Sequence, residues 1–110
     1  MKRIYIASPY TKGDAAVNVK RQIDTFDALI KMGFIPFAPL LLHFQHMVHP
    51  LSYSECMRWD LAWLEQCDCV LRLEGDSKGA DMEVEWAMSI GKIVFYSIDE
   101  LKLYVETYKN

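Results

Sequence analysis

The chain has 110 residues, 52% of them hydrophobic and 25% charged, the proportions of one globular domain rather than two. With 5 Gly and 4 Pro it is neither collagen-like nor of low complexity. Fifteen acids against twelve bases leave a net charge of -3, which lacks the basic surplus expected of a binder of nucleic-acid polymers. A small phosphate, which needs only a few local donors, is not excluded by that balance.

Ile4-Tyr5-Ile6-Ala7, ending at Ser8-Pro9, predicts a first strand buried on both faces. Tyr10 to Asp14 reads as a loop. The spacing of Ala16, Val19, Ile23, Phe26 and Ile30 draws one helical stripe, with Gly33 where a C-terminal cap belongs. Phe34 to Pro39 predicts a second strand whose prolines end it early. Leu40 to Pro50 mixes a helical turn with loop. Ser52-Tyr53-Ser54-Glu55 has the form of a capping box, so a helix is expected from Ser52 to about Gln66. Cys69 to Leu73 is a third strand and Glu74 to Gly79 a loop. A helix follows from about Ala80 to Ile90, then a fourth strand over Ile93 to Tyr96 and a last helix over Asp99 to Tyr108. Strands alternating with helices over a single domain, residues 1–110, predict a three-layer α/β/α fold. Its parallel sheet would have four or five strands, in the flavodoxin or Rossmann manner. Ligands of such sheets sit at the carboxyl ends of the strands, so the loops after Ala7, Ala38 and Leu73 matter most.

Cys56, Cys67 and Cys69 are odd in number and read as small buried hydrophobes in a reducing compartment, not as a disulfide framework or a zinc site. The N-terminus has neither the long apolar region nor the cleavage site of a signal peptide. The longest apolar run, Ile35 to Leu42, falls far short of a membrane span. A cytoplasmic protein is expected, with no membrane partner. His43, His46 and His49 sit three apart with no acidic ligand nearby. They read as pocket lining or surface residues, and no metal site is expected.

Two carboxylates stand where solvent should not reach. At about 100° per residue, Glu83 falls among Trp86, Ala87 and Ile90, on the apolar arc of its helix, whereas Glu85 falls on the opposite side. Acids in a first helical turn also complement the helix dipole, which accounts for Asp81 and Glu85 better than for Glu83. Asp60 shares an apolar flank with Met57, Trp63 and Leu64, fitting either a structural ion pair or a reactive acid. Asp68, beginning a strand, reads as a cap for Gln66 or the loop. Two facing carboxylates could cleave a glycosidic bond, one as nucleophile and one handling protons. Gly75-Asp76-Ser77-Lys78-Gly79, ahead of a helix N-terminus, could hold an anion such as phosphate, with Ser8 approaching the same region.

These residues carry a family likeness. Asp60 to Asp68 reads D-L-x-W-L-x-x-x-D, and Ser77 to Lys92 reads S-x-G-x-x-x-E-x-x-x-A-x-x-x-G-K. Together with Ile4-Tyr5-Ile6-Ala7-Ser8, this resembles the nucleoside 2-deoxyribosyltransferase superfamily. Within it the likeness is to the 2'-deoxynucleoside 5'-monophosphate N-glycosidases and to small bacterial and phage members. The resemblance implies Glu83 as nucleophile, Asp60 beside the sugar and base, and Tyr5 orienting the nucleophile. It also implies Ser77 and Ser8 as phosphate ligands, with Gly79, Pro9 and His43 completing the substrate wall. It implies cleavage of the N-glycosidic bond of a (2'-deoxy)nucleoside or its 5'-monophosphate through a glycosyl ester on Glu83. Water (a hydrolase) or a second base (a transferase) would resolve the ester. No cofactor is implied, and a homodimer or higher homo-oligomer is, for which Leu40 to Leu51 with Trp59 and Trp63 could supply the interface. The first loop, Ser8 to Gly13, is not glycine-rich as in the nucleotide hydrolases, and leaves base and phosphate preference open. The reading from a different class is a catalytically idle nucleotide-binding or interaction module. A receiver-type module fits less well, because no acidic cluster follows the first strand.

Overall fold

A computed structural model describes residues 2–108. Four strands, β1 (Arg3–Ala7), β2 (Ile35–Phe37), β3 (Cys69–Arg72) and β4 (Ile93–Phe95), form one all-parallel sheet in the order β2-β1-β3-β4. Helices α1 (Ala15–Lys31), α2 (His43–Val48), α3 (Tyr53–Leu64), α4 (Lys78–Ser89) and α5 (Ile98–Tyr108) connect and cover it, with a 3₁₀ turn over Pro39–Leu42 leading into α2. No helix among the described residues is long and apolar enough to cross a membrane.

The period of two along β1 splits the core into the two faces of the sheet. Ile4 and Ile6 pack with Leu29 of α1 and Leu101 of α5, while Tyr5 and Ala7 pack with Leu64 of α3 and with Ala80 and Ala87 of α4. The expected three layers are therefore present. The capping box at Ser52 forms in both directions: its hydroxyl accepts from Glu55 N–H at 3.1 Å and the Glu55 carboxylate accepts from Ser52 N–H at 3.0 Å.

Several elements differ from the sequence reading. The strands end one or two residues sooner, at Phe37, Arg72 and Phe95, α3 stops at Leu64, and α4 starts at Lys78 because Ser77 caps it. On α1 the buried line runs through Gln22 and Leu29, with Ile23 and Ile30 exposed at its edge, a turn of about one residue from the predicted stripe. The reason is polar. Gln22, 0% exposed, donates from Nε2 to Ile6 C=O at 3.1 Å and to Ser8 Oγ at 2.7 Å, and its Oε1 accepts from Leu40 N–H at 2.8 Å. One amide thus ties the end of β1 to the start of the 3₁₀ turn, both otherwise short of partners. Asp68 caps neither Gln66 nor the following loop. Its carboxylate accepts from Lys2 N–H and Arg3 N–H, both at 2.8 Å, and so anchors the entry to β1.

Gln22→Leu is expected to destabilise the fold by about 2 kcal/mol or more, because isosteric apolar replacement strands the Leu40 amide and the Ser8 hydroxyl in the interior. Urea denaturation measures it. A loss within a few tenths of a kcal/mol would mean that water reaches these groups.

Candidate active site

In the order β2-β1-β3-β4 the chain winds outward from β1 to β2 on one side and from β3 to β4 on the other. The switch falls between β1 and β3. There the loops part at the carboxyl edge and leave a crevice. A cavity of about 790 Å³ opens at this edge, reached by Ser8 from β1, Pro39 and Leu40 from β2, Ser77 to Ala80 from α4, and residues of α2 and α3. Every one of Glu83, Asp60, Ser8, Ser77, Gly79 and His43 lines it.

Glu83 is 5% exposed and accepts a hydrogen bond from the Tyr5 hydroxyl, itself fully buried. The helical phase that separated it from Glu85 is what the fold realises: Glu85 faces solvent. Burial above all holds the Glu83 carboxyl up at about 8, against the lowering effect of the Tyr5 hydrogen bond, with the charge of Asp60 adding to the rise and the Arg72 guanidinium opposing it. Burial likewise raises Asp60 to about 7. Both acids thus keep their protons up to about neutrality. Tyr5 is held well above 10, first by burial and then by Glu83 and Asp60, so it remains a donor.

Beneath this pair lies an aromatic stack. Tyr5 packs on Phe37 with ring centroids 5.7 Å apart, and Phe37 packs on Trp63 at 5.5 Å and Trp59 at 5.6 Å. Trp59 also faces the cavity, so it is a wall of the crevice, whereas Trp63 stays half exposed. The exposed apolar residues of the next segment are Leu41, Phe44, Met47 and Val48, on the outer side of the 3₁₀ turn and α2.

At the α4 end, the two serines share one property. Ser77 Oγ accepts from Ala80 N–H at 3.1 Å and Ser8 Oγ accepts from Gln22 Nε2 at 2.7 Å. Each hydroxyl has its acceptor side occupied and its proton left to give, which suits an anion. The helix N-terminus and the side chain of Lys78 add positive potential along the same wall, where Lys12 is paired with Asp76. Pro9 is the exception among the predicted substrate residues. It is buried beneath the β3–α4 loop, where a Cβ on Gly75 would lie 2.8 Å from its Cγ, and it does not reach the cavity.

Arg72, which the sequence reading passed over, builds that loop from below. It is 8% exposed, donates to the carbonyls of Leu73 and Gly75, and meets Asp81 Oδ1 at 3.0 Å. A guanidinium at the end of an otherwise apolar strand was the available signal. Arg21 donates to Glu74 C=O and Lys12 to Asp76, so α1 and the first loop hold the same segment from outside.

The opposite wall is α2. His43 Nδ1 shares a hydrogen bond with the Tyr10 hydroxyl, the rings meeting edge-on at 5.6 Å, and His46 Nδ1 accepts from Leu51 N–H at 3.2 Å. Both imidazoles line the cavity; His49 is exposed and does not. Cys56 is half-buried at the cavity and Cys67 and Cys69 lie in the interior, all three as free thiols.

The sequence profile of a family described as a domain of unknown function, DUF7768, matches residues 2–97. The chain belongs to the DUF7768 family. The matched region of this DUF7768 domain contains all four strands and every residue of the crevice named above, and leaves out α5. A search of curated proteins returns no match.

Proposed function

We infer that this DUF7768 domain cleaves the N-glycosidic bond of a (2'-deoxy)nucleoside or its 5'-monophosphate. The observation that carries the reading is Glu83: a carboxyl nearly closed off from water on the wall of a large crevice, bonded to Tyr5 and facing a second raised carboxyl. Burying such a group costs several kcal/mol, and the Tyr5 contact alone does not offset it. The likeness of Asp60 to Asp68 and of Ser77 to Lys92 to the deoxyribosyltransferase superfamily selects the same residues.

In the reactive tautomer of the pair, the charge sits on Glu83 and the proton on Asp60. It is the less populated of the two, since Glu83 is the weaker acid, and Tyr5 and Arg72 lower its cost by stabilising the Glu83 anion. The Glu83 oxygen bonds to the anomeric carbon as the C–N bond breaks, through an oxocarbenium-like transition state. The departing base keeps the electron pair of that bond and takes a proton from Asp60 or water. Water, deprotonated by Asp60, then attacks the ester and returns Glu83 as carboxylate; a second base does so in a transferase. The Ser8 and Ser77 hydroxyls and the amides opening α4 supply donors for a 5'-phosphate. Trp59 offers a flat apolar face to a base. A homodimer sealed by Leu41, Phe44, Met47 and Val48 and a cytoplasmic setting complete the reading.

Incubation with a panel of nucleosides and 5'-monophosphates, followed by chromatography for free base, tests it. Free base is expected, and adding a second base separates transfer from hydrolysis by the appearance of a new nucleoside. The competing reading, an idle nucleotide-binding module, draws on Glu83 holding its proton at neutral pH. It gains if no substrate releases base while nucleotides raise the thermal midpoint.

A further inference from the structure

The α2 wall carries a hydrogen-bonding polarity that the reaction chemistry leaves unused. A backbone N–H can only donate, so the Leu51 amide bonded to His46 Nδ1 fixes that nitrogen as an acceptor. The proton of the neutral ring then belongs to Nε2. The same logic orients His43. A phenol is a far better donor than an imidazole N–H, and an imidazole nitrogen a far better acceptor than a phenol oxygen, so Tyr10 donates to His43 Nδ1 and again leaves the proton on Nε2. Among the described residues neither Nε2 has a hydrogen-bond partner, and both rings line the cavity. The third polar side chain here, Gln45, also lines the cavity, but its Oε1 is closed off from water without a partner and its Nε2 donates to His49 C=O. Two unpartnered ring N–H groups are therefore carried by residues that line the space beyond Trp59, and α2 offers that space no water-accessible side-chain acceptor.

The geometry points to His46 and His43 as the residues that select the base, admitting nucleobases that carry an oxo group on the edge facing α2 and rejecting those with an amino group there. An oxo group accepts from Nε2–H. An amino group meets donor with donor, and both are left unpaired in a space narrowed by Leu42, Leu51 and Trp59. The selection concerns hypoxanthine against adenine and uracil against cytosine, pairs that match in size and differ in the exocyclic group and in the ring nitrogen beside it, which carries a proton only in the oxo member; it is the exocyclic group that Nε2–H reads. It rests on the N-glycosidic reading above, and the test is built to separate the two.

Base release is compared for the 5'-monophosphates of deoxyinosine and deoxyadenosine, and of deoxyuridine and deoxycytidine. In parallel, the binding of the same four nucleotides to Glu83→Gln is measured by calorimetry. The oxo member of at least one pair is expected to be favoured tenfold or more, in kcat/KM and in binding. In His46→Gln the amide can turn either its N–H or its carbonyl to the base, and the ratio is expected to fall to within about threefold. Wild-type ratios within threefold, or favouring the amino member, overturn the selection while leaving the reaction standing. So does a His46→Gln variant that keeps the full ratio. Oxo preference in binding with no base released from any substrate supports the selection and removes the reaction. Failure of all four nucleotides to bind overturns both.

Discussion

On the proposed reaction, Glu83→Gln is expected to lose base release by about a thousandfold or more, and Glu85→Gln to keep it within about twofold. The amide retains the size of the carboxyl and can accept from Tyr5, so nucleotide binding survives and the loss falls on kcat. It cannot form a glycosyl ester, and without that step the reaction has no covalent route. Glu85 sits two residues further along the same helix, in solvent, and removing its charge alters the potential of α4 by a similar amount. The pair of variants therefore distinguishes a reacting group from a charge near a helix. Equal losses at both positions, read by chromatography of free base, would discard Glu83 as the nucleophile.

The second large effect is on stability, and it has a definite sign. In the unfolded chain the two carboxyls titrate near 4.5 and 3.8; in the folded protein burial moves them to about 8 and about 7. Below about pH 4 both states hold the protons and the groups contribute no difference. Between there and pH 8 the folded state holds protons that the unfolded state has released, so each rise in pH erodes stability. At about 1.4 kcal/mol for each pKa unit, the rise of Glu83 from 4.5 to about 8 represents a loss on the order of 5 kcal/mol across that window. Glu83→Gln has nothing to ionise. Its thermal midpoint is expected to match the wild type near pH 5 and to exceed it by 8 °C or more at pH 8, the gap growing steadily between. Midpoints that run parallel over the whole range would place the carboxyl in water. A variant both inactive and more stable is the signature of a residue retained for chemistry.

What the sequence made legible follows from how strongly one property dominates each position. The strands of the sheet centre are unbroken apolar runs, and a capping box has a rigid spacing, so β1, β3 and the start of α3 were readable. Helical phase separated Glu83 from Glu85 because a single arc of α4 meets the sheet. Gln22 escaped for the opposite reason. Apolar counting treats an amide as surface, yet here its three hydrogen bonds bury it more completely than Ile23 or Ile30. Pro9 was misplaced because its role depends on Gly75, sixty-six residues away, folding over it. The polarity of the α2 wall was illegible from spacing: a histidine tautomer is set by what the other ring nitrogen touches, and the partners, Tyr10 and the Leu51 amide, are known only after folding.

The acid pair and its tyrosine are rooted in the sheet and the two helices packed on one side of it, whereas the surface proposed to meet the base is a six-residue helix, His43–Val48, whose loss would leave every strand pairing intact. Reactivity and taste are thus lodged in separate pieces of the chain. Descendants of this scaffold could exchange the short segment and acquire new substrates without rebuilding the machinery that breaks the bond.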